Sequence, residues 1–356
     1  MSVQSFRVSG FRCLSDVSLE LAPDYNLIYG ANASGKTSLL EALAYLGRGK
    51  SFRGAPTASL VQHGQTEFVL FGRVEAGPRI VSVGVRNGRN KLEIRVDGQQ
   101  NGGLADLANV LPLQVIDPEV HALVAGGPEE RRRFVDWLVF HVKREYLEVW
   151  RRFRRVLRQR NALLRRGAGP RETASWDEEF VELAERIDEL RSDVLAHALR
   201  DIEEVAARVL GEAVGFRYQR GWKEDRSLGE QLAEVRERDV QLGSTQHGPH
   251  RADLRIEASE RQARRLVSRG QQKLLASGMI IGATAVAQRW MDRRLPLLLD
   301  DPAAELDQTS LDRLLESAYG LGSQLIVTSL DRGRIAFPTE PRVFHVKHGA
   351  LTAETG

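Results

Sequence analysis

Cysteine is nearly absent: Cys13 is the single one in 356 residues. One thiol cannot close an intrachain disulfide and leaves no basis for a cysteine-based zinc site, so a reducing cytoplasm is the expected setting. Long apolar runs are missing too. The N-terminal stretch sets Arg7 and Arg12 among short apolar segments, unlike a secretory signal. The longest weakly polar stretch, Ser277 to Ala287, falls well short of the roughly 20 apolar residues that span a bilayer, and a soluble protein is expected. There is no bulk excess of one charge sign: 51 basic and 48 acidic residues leave +3, too little to argue for nucleic acid by itself. No internal repeat and no low-complexity tract occurs. With 42% hydrophobic residues, the chain has the means to bury one large core or two modest ones.

Charge is uneven along the chain. Arginine dominates from Arg131 to Arg171, where Arg131, Arg132 and Arg133 are followed by Arg151, Arg152, Arg154, Arg155, Arg158, Arg160, Arg165 and Arg166, whereas Glu172 to Glu204 is mostly acidic. Apolar periodicity changes as well. The first thirty residues read as short strands, the last being Leu27-Ile28-Tyr29 before Gly30, and a helix is expected from near Lys36 to Gly47. Period-two runs from Glu67 to Val96, separated by Gly77-Pro78 and Asn87-Gly88, predict an antiparallel meander, and Leu111 to Ile116 predicts a further strand.

Beyond Pro128 apolar residues recur every three or four positions, from Phe134 through Val156 and again from Trp176 through Ala198, with Gly167, Gly169 and Pro170 between. This predicts an antiparallel helical hairpin. Ser227 and Glu230 match a capping box for a shorter helix. After Gly243 strands are expected near Leu254 to Glu257, Leu295 to Leu299 and Gln324 to Val327, with helices at Gln271 to Trp290 and Ser310 to Ala318. The helical part, 121–242, is therefore expected as an insertion between the two parts of an α/β domain, 1–120 and 243–356.

Gly30-Ala31-Asn32-Ala33-Ser34-Gly35-Lys36-Thr37 matches GxxxxGK[ST] between a predicted strand and a predicted helix. Glycines there let backbone N–H groups turn toward phosphate oxygens, with Ser38 next in line on the helix. Lys36 brings positive charge to the β and γ phosphates, Thr37 offers a hydroxyl to Mg²⁺, and the helix N-terminus favours an anion. Far downstream, Leu297-Leu298-Leu299 ends in Asp300 and Asp301. A buried strand delivering Asp300 to the Mg²⁺ shell leaves Asp301 to polarise an attacking water. Taken alone, the pair reads equally well as a helix N-cap or solvated loop.

These motifs, with Ser268-Arg269-Gly270-Gln271-Gln272 and Ala304-Glu305-Leu306-Asp307, resemble the ABC-type ATPase heads of DNA-repair and chromosome proteins. Within that group the chain resembles the RecF family of bacterial recombination mediators over essentially its whole length. The resemblance rests on GANASGKTSLLEAL followed by Lys50-Ser51-Phe52-Arg53, on Gly127-Pro128-Glu129-Glu130-Arg131-Arg132-Arg133-Phe134-Val135-Asp136, and on Gly248-Pro249-His250-Arg251-Ala252-Asp253-Leu254. It implies an α/β ABC-type P-loop ATPase head, a mixed sheet with helices plus an antiparallel β meander, carrying an inserted α-helical hairpin. It implies ATP and Mg²⁺ as ligands, with Lys36 and Asp301 catalytic and Thr37 and Asp300 on the metal. Ser268, Gly270 and Gln271 would act in trans on the nucleotide of a second subunit; a plain polar N-cap is the other reading of that segment. The implied partners are single- and double-stranded DNA at gaps and junctions, a second copy of the chain, and RecR, with RecO and RecA, in the cytoplasm at the nucleoid.

Gln114 precedes the insertion, where such heads often carry a glutamine that senses Mg²⁺ or the γ-phosphate; a strand-edge glutamine is the alternative, and Arg12 has the same two readings. Asp301 stands where many relatives have glutamate, a reach shorter by roughly 1.5 Å, and Thr328-Ser329 stand where many transporters have a histidine. Both suggest weak, DNA-stimulated hydrolysis that times a switch. His247 and His250 form an HxxH without a third ligand nearby, better suited to a structural or DNA-facing loop. The basic helix either pairs with the acidic one or meets DNA. Arg131 to Arg133 at a helix start oppose its dipole, which favours an anionic partner. A P-loop kinase would need an acceptor pocket and lid, and an SMC-like tether would need arms far longer than roughly 35 residues, about 50 Å.

Overall fold

The protein is described as a computed structural model covering residues 1–88, 92–100, 103–258, 261–262 and 268–354. It divides into two compact units, Met1–Val120 with Asp292–Gly356, and His121–Met291. The sequence pattern predicts the second boundary after 242. It lies at Met291 because the strand Asp253–Ala258 pairs with Val214–Gln219, and because the helix Arg269–Met291 packs along the helix Pro170–Leu210. A Cβ on Gly278 or Gly282 would come within 2.7 Å of the Cα of Ala206 or 2.9 Å of that of Ile202, so these two glycines set how closely the helices approach.

The first unit contains two sheets among the described residues. One is antiparallel, in the order Leu14–Glu20, Ser2–Phe11, Glu67–Ala76, Arg79–Gly88, Leu92–Val96. Its inner face follows the period-two pattern: Phe68, Leu70, Val74, Val83 and Val85 are buried against Leu39, Leu43 and Leu46 of the helix Lys36–Arg48. Gly47 does not end that helix, as expected from the sequence, but stays inside it. Any Cβ there would meet the Leu111 carbonyl at 2.6 Å, and the helix closes at Gly49 with φ 62°.

The other sheet is mixed, in the order Ala350–Glu354, Arg342–Lys347, Tyr25–Tyr29, Leu325–Ser329, Leu297–Leu299, Gln114–Ile116. Of its five strand pairings four are parallel, and the terminal hairpin is antiparallel. Parallel strands covered on both faces need near-continuous apolar side chains, and Leu297 to Leu299 and Leu325 to Val327 are all fully buried. The Leu111 to Ile116 prediction shrinks to Gln114–Ile116, preceded by a helix, Leu104–Val110.

The second unit is mostly helical. The expected first long helix is two, Pro128–Val142 and Tyr146–Arg165, separated at Lys143–Glu145. The apolar stripe carries across the break because Tyr146 is buried on the far side of it, with its hydroxyl donating to Asp136 at 2.5 Å. Pro170–Leu210 runs 41 residues, with Phe180, Ile187, Val194 and Ala198 buried. Ser227 caps its helix as the motif predicts, with Glu230 N donating to Ser227 Oγ at 3.2 Å.

Candidate functional site

The loop after Tyr29 is shaped by positive φ angles at Gly30 (154°), Ala33 (61°) and Gly35 (116°). At Gly30 even a methyl is excluded, since a Cβ would lie 2.3 Å from the Val346 carbonyl oxygen. The turn of the C-terminal hairpin braces the loop from that side, with Gly349 N donating to Ser34 O at 2.8 Å. Lys36 is buried and donates from Nζ to the carbonyls of Gly30, at 2.6 Å, and Ala31, at 3.0 Å. Burial pulls its pKa below lysine's ordinary value, opposed by Asp301, Asp300 and Asp331. Ser34 Oγ is buried with no hydrogen-bond partner among the described residues. Such an atom costs free energy unless something else satisfies it.

Opposite the loop, Leu297–Leu299 delivers Asp300, 3% exposed, to the start of the helix Lys36–Arg48. Asp300 Oδ1 accepts from Thr37 Oγ1 at 3.0 Å and from Thr328 Oγ1 at 2.7 Å. Burial raises the Asp300 pKa, and those two hydroxyls act against the rise. Thr328 in turn accepts from Asp301 N at 2.8 Å. Asp301 has φ 46°, a left-handed conformation uncommon for a side-chain-bearing residue and often found at functional sites. The Thr37 hydroxyl and Asp300 carboxylate offer oxygen donors of the kind a hard divalent cation takes.

Between these walls lies a cleft of about 560 Å³, bounded by residues 32–38, Cys13, Phe52, Arg53, Asp117 to Glu119, Asp300 and Asp301. It brings together Asn32 to Ser38, Asp300 and Asp301 from the sequence reading. Gln114 stands elsewhere. It is buried at the start of its strand, with Oε1 accepting from Arg48 Nη2 at 2.8 Å. Arg12 turns its guanidinium onto the buried Glu41, at 2.5 and 3.0 Å. Ser268, Gly270 and Gln271 belong to the second unit, where Ser268 Oγ accepts from Gln271 N at 3.3 Å and Gln271 Oε1 from Ser268 N at 2.9 Å, so the helix Arg269–Met291 is capped within the chain. The cleft residues to which the sequence assigns no role at the site are Cys13, Phe52, Arg53, Asp117, Pro118 and Glu119. Asp117 did carry a signal, since it follows a short apolar strand just as Asp300 follows Leu299.

The second unit separates the arginines into two kinds. Arg131 forms a two-point pair with Asp253, at 2.7 and 3.1 Å, and donates to the Gly126 carbonyl at 2.9 Å. Arg132 donates to the Ala252 carbonyl at 2.7 Å, and Arg133 pairs with Glu129 and Glu130. The anionic partner expected for this triplet is therefore largely internal. Arg160 is fully buried against Asp177 and Asp239. By contrast Arg151, Arg155, Arg158, Arg165 and Arg166 are exposed and make no ion pair among the described residues, while Arg152 meets Glu179 at 3.3 Å. His250 packs against Phe153 and Phe180, and burial lowers its pKa to about 4; it is structural. Among the described residues, no group of three or more His, Cys, Asp or Glu side chains is arranged around a metal position.

Residues 2–350 match the family described as RecF/RecN/SMC N terminal domain. The chain is 38% identical over 362 aligned positions to the DNA replication and repair protein RecF of Cellvibrio japonicus, covering 99% of each. It is 40% identical to the protein of the same name from Chromohalobacter salexigens, covering 99% of this chain and 100% of that one. Among solved structures, a recombination mediator protein RecF-ATPrS in the RecFOR pathway superposes with a TM-score of 0.87 at 25% identity, over 99% of this chain and 98% of that one. An Smc head bound to the C-winged helix domain of ScpA superposes at 0.58 with 15% identity, over 99% and 97%, a likeness of fold. With relatives aligned end to end at this identity, the chain belongs to the RecF family within the RecF/RecN/SMC N terminal domain group.

Proposed function

We propose that this chain binds ATP at the Gly30–Thr37 loop and uses it to close a homodimer on DNA, as a RecF-type recombination mediator. The observation that carries the reading is the hydrogen bond from Thr37 to Asp300 at 3.0 Å, which joins two motifs 263 residues apart in one cleft. The unpartnered Ser34 hydroxyl and the phosphate-shaped loop support a nucleotide there. The names of the whole-length relatives, DNA replication and repair protein RecF, support the setting.

In this reading Lys36 gives up its two carbonyl partners for phosphate oxygens. Thr37 and Asp300 hold Mg²⁺, which when bound neutralises phosphate charge and fixes the phosphates' orientation. Asp301 orients the attacking water, held by its strained backbone and by Thr328. Its short side chain, and Thr328 in place of a histidine, fit slow turnover, so that hydrolysis acts as a timer on the closed state. Ser268, Gly270 and Gln271, at the start of a long helix, complete the site in trans on a second subunit's γ-phosphate. The exposed ridge of Arg151, Arg155 and Arg158 meets phosphates of gapped or junction DNA. RecR, with RecO, then directs RecA to that DNA, in the cytoplasm.

DNA binding by wild type and Lys36→Ala, with ATP and with a non-hydrolysable analogue, tests the reading. The wild type is expected to tighten on DNA with either nucleotide and to persist longer with the analogue, while Lys36→Ala responds to neither. An unchanged nucleotide response in Lys36→Ala would refute it.

A further inference from the structure

Asp117 is a carboxylate of the cleft to which no role has been given. It directly follows Gln114–Ile116, whose parallel register sets Ile116 beside Leu299 and so places Asp117 beside Asp300 at the same ends of adjacent strands. The Asp300 amide donates to the Ile116 carbonyl at 2.9 Å, one residue before Asp117. In open parallel sheets ligands collect at the carboxyl ends of strands, and Asp117 lines the cleft there while Gln114, at the opposite end of the same short strand, does not. Gln114 is also engaged by the half-buried Arg48, which donates to its Oε1 at 2.8 Å and to the Leu113 carbonyl at 3.2 Å.

The charge around the cleft points to what Asp117 faces. Four carboxylates, Asp117, Glu119, Asp300 and Asp301, stand against two cations, Lys36 and Arg53. A polyphosphate adds further negative charge, so this wall favours a nucleotide as its divalent-metal complex over the metal-free form. Since no three carboxylates converge on one ion position among the described residues, Asp117 does not complete a cage with Asp300 and Asp301. Mg²⁺-type ions keep several waters and take only one or two carboxylates directly, which leaves a place for a carboxylate that holds metal-bound water.

We propose that Asp117, and not Gln114, is the outer positioning residue of the nucleotide-metal site, accepting hydrogen bonds from the waters of a divalent cation held at Thr37 and Asp300. The inference rests on the ATP-site reading above. A glutamine at this task would be neutral; a carboxylate couples nucleotide binding more steeply to metal.

Mn²⁺ titrated into protein with ATP at pH 8, followed by electron paramagnetic resonance of the free ion, reports the metal directly and needs no turnover. Asp117→Asn is nearly isosteric and is expected to raise the Mn²⁺ midpoint about 10- to 100-fold, the usual effect of losing an outer-shell partner, while Gln114→Met leaves it within about twofold and thermal unfolding confirms that both variants fold. Metal-free ATP binding by Asp117→Asn should strengthen severalfold, because one negative charge has left the wall. A wild-type midpoint in Asp117→Asn, or a shift confined to Gln114→Met, overturns the assignment while leaving the ATP site standing. Wild type that shows no ATP-dependent Mn²⁺ uptake refutes the site itself.

Discussion

At the scale of single residues, Thr328 shows how a side chain with no charge supports two acids at once. It donates to Asp300 and accepts from the Asp301 amide, so one hydroxyl fixes the orientation of both carboxylate-bearing residues. Thr328→Val keeps the shape and removes both bonds, leaving a buried amide and a buried carboxylate each short of a partner. Stability to denaturant is expected to fall by about 1–3 kcal/mol and the rate of ATP hydrolysis by about 10-fold or more. Hydrolysis within twofold of wild type would show that Thr328 does not position either acid. Thr328 was visible in the sequence only as a missing histidine, because its value depends on Asp300 lying on the neighbouring strand. The phosphate loop was legible because its chemistry is local: glycine spacing, lysine and threonine fall within eight consecutive positions. Gln114 was misplaced for the converse reason. Which end of a three-residue strand faces a cleft depends on register, and register is set by partners more than a hundred residues away.

At the scale of elements, the two segments that most strongly carried the family resemblance turn out to be bound to each other. Arg131 of Pro128–Val142 grips Asp253, Arg132 reaches the Ala252 carbonyl, and Arg191 links Asp136 to the Pro249 carbonyl. Arginines at a helix start looked available for an external anion only because Asp253 lies 122 residues further along. With side-chain exposures of 8% and 21%, this pair is largely withdrawn from water. Arg131→Ala strands the carboxylate and is expected to cost about 3–5 kcal/mol in denaturant unfolding, without changing the salt dependence of DNA binding. Loss of salt dependence with intact stability would reverse that assignment. The helical hairpin and the meander were read correctly from periodicity alone. The break at Lys143–Glu145 escaped because the apolar stripe resumes in phase across it. The boundary at Met291 escaped because strand alternation after Gly243 does not reveal which sheet a strand joins.

At the scale of the whole molecule, a net charge near zero conceals a local excess. Arg151, Arg155 and Arg158 recur at helical spacing on one exposed side of Tyr146–Arg165, unpaired among the described residues. If they meet phosphates, neutralising all three should reduce the slope of log affinity against log salt by about 0.9 for each contact on duplex DNA. An unchanged slope would remove this ridge from the DNA contact. Bulk composition could not locate it, since the neighbouring acidic stretch nearly cancels it in any average. Only the side chains' separation into buried, paired and exposed arginines distinguishes architecture from a candidate binding surface.

The order of strands in the mixed sheet also bears on how the protein is made. Tyr25–Tyr29, which leads into the phosphate loop, is flanked by Leu325–Ser329 and Arg342–Lys347, both encoded about 300 residues later. At ribosomal speeds of about 5–20 residues per second, that strand waits roughly 15–60 s for its neighbours. Throughout that interval the nascent chain carries the glycine-rich loop without the carboxylate that faces it. A product truncated before Asp300 therefore lacks the carboxylate that faces the phosphate loop and yields no nucleotide switch.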